Sequence, residues 1–316
     1  MVVSAERVAL NALQWINIRQ DPSKPKGVGG WEFADPAFRT RYPSVLAAVK
    51  ESGFDAVMLE VLAQQTLQRY AAIIEDLGLR LAPGYVQVTL PEDDGLDIAR
   101  GSADWVRRLD QVRRRAEEST YFGLDTVFLS SDMRRGRPRT AEHAAVGHAA
   151  DAGRLERVIE LLSDAADTLR EEGIRPAFHN HVGTWVETRE EIDAVMSAID
   201  PSVLSAGFDI GHMVWAGIDP VEMLSAYRGR VAGIHIKDID VAVAERARTE
   251  AWSYYDTIDA GVIQEPGRGS VDLAGVLSAL GDDFDGWVIV EVDRPTMDPL
   301  ESATVSAEWV RRAIPA

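Results

Sequence analysis

The chain has no cysteine. That absence excludes a disulfide framework, a thiolate nucleophile and a zinc–thiolate site together. Positive charge is also scarce. Lys and Arg number 33 against 51 Asp and Glu, a formal net charge of −18. Nucleic acid and anionic membranes both reward a basic surface, so neither is expected as the main partner. No apolar run reaches the ~18 residues of a membrane span. The opening stretch MVVSAERVALNALQWI carries Glu6 and Arg7 and offers no clean apolar core before a cleavage site. A cytoplasmic protein is the default expectation. Low-complexity tracts, short repeats and domain boundaries are also missing.

What is present is a regular alternation. Short β-rich runs occupy 8–13, 56–61, 80–85, 126–130, 175–179, 204–209, 233–237 and 288–292. Amphipathic segments lie between or after them, at 42–51, 64–77, 102–121, 154–172, 189–199, 221–227, 273–280 and 302–314. Leu155, Val158, Ile159 and Leu162 keep helical spacing. Thr188 followed by Glu191 reads as a capping box. Gly53, Gly78, Gly123 and Gly173 stand where helices should stop. Strand–helix alternation implies a parallel sheet with helices outside it, and eight units favour closure. The prediction is an α/β chain, one (β/α)8 barrel domain over residues 1–316. Three loops after strands are long: 21–41, 131–153 and 239–269. Loops after barrel strands lie on the catalytic face, so these should wall a pocket.

Polar residues collect at the ends of successive strands: His179 and His181, then Asp209, then His235, Lys237 and Asp238, then Glu291 and Asp293. A carboxylate ending a buried strand is costly unless it has a partner. Every second residue of a strand shares a face, so these groups converge if they point inward. A lone strand histidine is usually a packed core residue, but four consecutive strands ending in His, Asp, His and Glu argue for a site. Asp209, His235 and Glu291, with Glu187 turned in from its loop, form an oxygen-rich set with one imidazole. That set suits Mn²⁺, Mg²⁺ or Co²⁺. Lys237 and Asp238 read equally as a salt-bridged strand end. Glu60 is read as a substrate contact. Trp15 is either core or a platform for a sugar ring. His143 and His148 are placed on a solvated helix. Arg134, Arg135, Arg137 and Arg139 are placed on a solvated loop, with an anion clamp as the sharper alternative.

FHNHVGTWVET, GFDIGHMVW, HIKDID, PGRGSVDL and GWVIVEVD occur in that order from about residue 175 onward. Together they resemble the xylose-isomerase-like superfamily of metal-dependent TIM barrels, and within it the inosose dehydratases and neighbouring sugar isomerases and epimerases. YYDTIDAGVIQEPGRGSVDL carries the dehydratase likeness. The resemblance implies a divalent metal, often Mn²⁺, on a Glu/Asp/His/Glu set. Asp209, His235 and Glu291 match it. The first Glu does not, because strand five reads His179-Asn180-His181. Glu187 fills that place by analogy, and His181 is its rival. The implied chemistry is proton abstraction next to a carbonyl of a keto-sugar or keto-polyol, through a metal-stabilised enediolate. His179 or His181 would be the base, and Lys237 would stabilise negative charge. His212 and Arg268, which lie in the motifs, join Trp15 and Glu60 as substrate contacts. Epimerisation, isomerisation and dehydration share these parts. So does elimination from a 3-keto-C-glycoside, which in the resembling enzymes needs a small accessory subunit. A multinuclear-zinc endonuclease of the superfamily is disfavoured by the acidic balance. A non-catalytic sugar-binding barrel is disfavoured by the ligand residues. Homo-oligomerisation is expected, with Trp309 as an exposed contact.

Overall fold

The computed structural model describes residues 3–16, 18–20, 29–31, 33, 35–133 and 137–315. Eight parallel barrel strands are present: β1 (Val8–Asn11), β2 (Ala56–Met58), β3 (Arg80–Ala82 continued by Gly84–Val88), β4 (Thr126–Ser131), β5 (Arg175–Phe178), β6 (Ser205–Asp209), β7 (Val231–Ile236) and β8 (Trp287–Glu291). β1 pairs with both β2 and β8, so the first and last strands meet. The break in β3 falls at Pro83, which has no N–H to donate. The half before it pairs with β2 and the half after it with β4. Ala82 and Tyr85 both belong to the interior cluster, an odd separation, so the alternation slips by one residue across the break. The sequence-derived run at 80–85 is therefore longer and kinked, and the run at 8–13 stops at Asn11, where a 3-10 turn (Ala12–Trp15) begins.

The strands are apolar on both faces, as a parallel sheet under helices requires. One face sends Leu10, Val57, Val127, Phe178, Phe208, Ile234 and Val290 into the layer beneath the helices. The other face closes on a narrow interior of Ala9, Ala56, Ala82, Ala177 and Ala232 around Phe128. The Phe128 ring fits because Gly207 and Gly233 carry no side chains. A Cβ at Gly207 would lie 2.7 Å from Phe128 Cδ1 and from Ala177 Cβ, and one at Gly233 would lie 2.9 Å from Phe128 Cζ. Gly207→Ala is expected to lower stability by about 1–3 kcal/mol through overpacking. Denaturant unfolding checks it, and Gly229→Ala, which meets nothing within 4 Å, is the control.

The outer helices start on side-chain caps. Thr66, Asp151, Thr188, Asp219, Asp272 and Asp298 each accept a backbone N–H of the first turn, and the Thr188–Glu191 capping box is formed. Part of the acidic excess therefore sits at helix N-termini, where the helix dipole favours it. Gly53, Gly78, Gly123 and Gly173 all have positive φ, as helix stops require. Among the described residues no helix is long and apolar enough to cross a membrane.

The loops after β4 and β7 pack on each other above the barrel. His143 N and Ala144 N donate to Ala251 O and Trp252 O. Ala144, Ala145, Val182, Trp215, Tyr254 and Ile258 form a second apolar cluster there. Two expectations are corrected. His143 and His148 sit on turns rather than a helix, half-buried, with rings stacked at 4.3 Å. Trp309 is only 8% exposed, because the apolar face of its helix (Pro299–Ala313) packs it into the main core.

Candidate active site

Strand register levels the polar residues into one layer above Phe128. His235 stands beside Asp209, and Asn11 beside Glu291. Phe128 meets the His235 ring edge-on at 4.4 Å and the His179 ring at 6.1 Å, a floor beneath both.

Lys237 is the centre of this layer and is fully buried. Its Nζ lies 2.7 Å from Glu291 Oε1, 3.1 Å from Asp209 Oδ2, 3.2 Å from Asp293 Oδ2 and 3.0 Å from His212 Nε2. Burial opposes its charge, but Asp209, Asp293 and Glu291 win and hold its pKa well above the ordinary value. Burial also opposes ionisation of Glu291, and Lys237 with His235 overcomes it, so that carboxyl falls well below its usual range. Asp209 is raised by burial against the pull of Lys237. Burial, with Glu291 beside it, pushes Asp293 up to about 8. Asp209 is also the cap of the short helix Ile210–Trp215. Its Oδ1 accepts His212 N at 2.9 Å, and its backbone is clamped by the Asn180 side chain.

Burial holds three of the site's histidines neutral. His181 is pushed down to about 3, and His179 and His212 lie well below the ordinary value. The His181 tautomer follows from its partner. His181 Nδ1 lies 2.7 Å from Val182 O, a pure acceptor, so Nδ1 carries the proton and Nε2 is the lone pair. His235 Nδ1 lies 2.8 Å from Glu291 Oε2 and donates its proton there, which turns Nε2 the other way. That Nε2 is buried with no hydrogen-bond partner, and Asp209 Oδ2 accepts no hydrogen bond although Lys237 is near. His179, Asp209 and His235 each bring one ligand atom within 4.8 Å of the others. Unpartnered buried nitrogen and oxygen atoms at one point fit a divalent cation.

A cavity of about 220 Å³ opens beside this layer, lined by Asn11, Glu60, Tyr85, Gln87, His179, His181, His235, Tyr254, Glu291 and Asp293 among others. His179, His181, His235, Glu291 and Glu60 are therefore brought together as expected, with Asp209 and Lys237 in the layer behind. Other expectations are corrected. Glu187 turns away from the cavity. Its Oε2 accepts Gly183 N and Ala145 N, its Oε1 accepts Gly147 N, and Arg139 lies 3.7 Å away. Its loop is pinned on residues from the β4 loop, which aim the carboxylate at backbone. Glu187→Ala is expected to lose about 1–3 kcal/mol of stability, because three backbone N–H groups lose their acceptor while Arg139 keeps Glu191; denaturant unfolding reads the loss. His212 lies behind His181, ring centroids 3.7 Å apart, and is absent from the cavity wall. Trp15 is half-buried against the main core. Arg268 is exposed on its loop and lines no part of the cavity. Arg139 is 2% exposed and pairs through two nitrogens with Glu191, which makes it a brace rather than a solvated or anion-binding group. Arg134 and Arg135 lie outside the described residues.

Asn11, Tyr85, Gln87 and Tyr254 went unread in the sequence. Asn11 had a signal, since it sits two residues beyond inward Ala9. Tyr85 and Gln87 were hidden by the slip at Pro83, and Tyr254 is delivered by a loop helix (Tyr254–Asp259).

Residues 46–313 match the family model described as xylose isomerase-like TIM barrel. The chain belongs to that family. Inosose dehydratase of Geobacillus kaustophilus (strain HTA426) is 26% identical over 318 residues, covering 99% of this chain and 96% of the relative. Inosose dehydratase of Geobacillus thermodenitrificans (strain NG80-2) is 34% identical over a shorter stretch, 49% of this chain and 53% of the relative. Among solved structures, a xylose isomerase-like TIM barrel protein from Mycobacterium smegmatis in complex with magnesium superposes with a TM-score of 0.67 at 18% identity, covering 99% of this chain and 98% of that one. The IolI protein with a bound zinc atom gives 0.63 at 14% identity, covering 98% of each. Both structures share the fold.

Proposed function

We propose that the chain is a divalent-metal-dependent lyase acting on an inosose-like keto-polyol, removing water after proton abstraction next to the carbonyl. The observation that carries this reading is neutral His181, its Nδ1 proton held by Val182 O, in the wall of the same cavity as His179 and His235 of the His179–Asp209–His235 cluster. The full-length likeness to an inosose dehydratase supports the substrate class. A cavity of about 220 Å³ fits one polyol ring and is below the ~300–1,000 Å³ that take drug-sized ligands.

His179, Asp209 and His235 would hold the cation. When bound, it supplies Lewis-acid polarisation of the substrate carbonyl and an adjacent hydroxyl. His181 Nε2 takes the proton from the carbon next to the carbonyl, and the C–H electron pair becomes the new double bond. Lys237, whose charge Asp209, Asp293 and Glu291 favour, offsets the negative charge that develops. Breaking the C–O bond on the next carbon expels the hydroxyl, and Tyr254 OH and Asp293, which line the cavity, offer the proton that converts it to water. Asn11, Gln87 and Glu60 line the cavity and would bind substrate hydroxyls.

The test is incubation of metal-loaded protein with a panel of inososes and keto-sugars, with products read by mass spectrometry. Loss of one water from an inosose is the expected result. An isomer of unchanged mass would replace the lyase by an epimerase or isomerase. Release of an aglycone from a 3-keto-C-glycoside would name the carbon–carbon lyase. No product with any of them would overturn the reading.

A further inference from the structure

The barrel wall has a gap beside the active-site cavity. β2 is bonded to β3 only as far as Leu59, whose N–H donates to Ala82 O. Past Pro83 the strand continues as Gly84–Val88 and pairs with β4 on its other edge. Among the described residues no ladder joins β2 to that second half. Side chains of the helix Asp110–Tyr121 reach the two facing edges instead. Arg115 Nη1 donates to Leu59 O at 3.3 Å, and Gln111 Nε2 donates to Gln87 O. Backbone carbonyls away from water need donors, and here they are supplied without the strands closing on each other.

A second cavity, of about 410 Å³, occupies the gap. Phe33, Glu60, Tyr85 and Gln87 wall both it and the active-site cavity. Val86, on the face of β3 opposite Tyr85, walls only the outer one, as do Gln111 and Arg115. The outer cavity therefore runs along the strand edge from the barrel interior to the helix layer. Its charges cancel: Arg114 and Arg115 stand 2.8–3.2 Å from Glu118 and Glu60. Nothing there calls for a phosphate or a carboxylate. Arg115 holds Glu60 through Oε2, and among the described residues Oε1 is left to accept. Gln87 and Gln111 add amide groups, and Phe33 and Tyr85 add rings. Planar hydrogen-bonding groups beside aromatic rings suit a neutral ring that bears several hydroxyls.

We propose that this outer cavity is a second ring subsite, and that the substrate has two rings: the keto-polyol ring in the inner cavity, joined through oxygen to a second hydroxylated ring, such as a hexose, in the outer one. Glu60 and Gln87 stand at the junction and bind hydroxyls on either side of the link.

The inference rests on the polyol reading of the inner cavity, but its test measures binding and not turnover, so the two fail separately. Metal-loaded protein is titrated in a calorimeter with myo-inositol, which has no carbonyl to react, and with a set of hexosyl-myo-inositols that differ in linkage position. At least one of the two-ring compounds is expected to bind about tenfold or more tighter than the single ring. Ala63 is exposed and walls only the outer cavity. Ala63→Trp, which puts an indole into that space, should bring the two affinities together. The comparison in the unaltered protein needs no variant to fold. A set in which no member binds more tightly than myo-inositol would overturn the subsite and leave the proposed reaction standing. A two-ring advantage that Ala63→Trp leaves intact would place the second ring elsewhere and also overturn it. Tighter two-ring binding, lost in Ala63→Trp, with no water lost from any keto form would remove the proposed reaction and leave the subsite. No binding of any of these polyols would overturn both.

Discussion

Metal-free protein carrying Lys237→Met is expected to be less stable than the unaltered chain by about 3–5 kcal/mol, the usual loss when one partner of a buried charge cluster is removed. The ammonium contacts Glu291, Asp209 and Asp293 at 2.7–3.2 Å with no exposure to solvent. Methionine keeps most of the volume, so the cavity contribution is small and the loss reports charge. Three carboxyl groups would then face one another with no cation among them. Denaturant unfolding in chelator measures the loss, and added Zn²⁺ should stabilise the variant more than the parent, since the parent already holds a cation there. A loss under about 1 kcal/mol, the range of an exposed ion pair, would contradict the role of Lys237 as internal counter-ion. The pH dependence follows from the directions of the shifts. The Lys237 pKa is raised, so its contribution is complete below the unfolded value and lost only as pH rises through the folded one. The Glu291 pKa is depressed, so its contribution is present above the unfolded value and lost as pH falls through the folded one. Neither changes stability between about pH 5 and 9.

His181→Asn should lower kcat by about 10²–10⁴-fold, the range of a lost general base, with little change in metal content. Asn can still donate toward Val182 O but cannot take a proton. The base must be neutral to act, so activity falls as pH drops through its pKa. Burial has pushed that pKa down to about 3. The acid limb of kcat/KM should therefore lie well below the pH 6–7 at which an ordinary histidine titrates. A limb in that region that disappears in His181→Asn would place a histidine of ordinary basicity at the reacting carbon and contradict the burial argument. An unchanged rate would remove His181 from the chemistry.

The barrel and most of its polar layer could be read in advance because both follow from short-range rules. Each helix-stopping glycine stands two or three residues before a strand. Period-two alternation then says that His179, Asp209, His235 and Glu291 share a direction if any one of them does. Alternation stops where a strand stops, and the misreadings begin there. Glu187 sits beyond β5 in a loop held by N–H groups of Ala145 and Gly147, about forty positions earlier in the chain. Arg268 lies in a loop whose course is set by Asp238, which accepts the backbone N–H groups of Gly267, Gly269 and Val271 and leaves the arginine outside. Trp15 closes the 3-10 turn that ends β1 early, which carries it toward the helices. Arg139 is buried because Glu191, already expected to cap a helix, has a second carboxylate face to offer. In each case a contact between distant segments decided the direction of the side chain, and nothing local announces such a contact.

Solvent-deuterium incorporation into an inosose, in the metal-loaded protein and in His181→Asn, tests the central claim most directly. The account predicts deuterium on the carbon next to the carbonyl, dependent on the metal and lost with His181. Turnover with no exchange at that carbon, or exchange that survives both metal removal and the substitution, would contradict it.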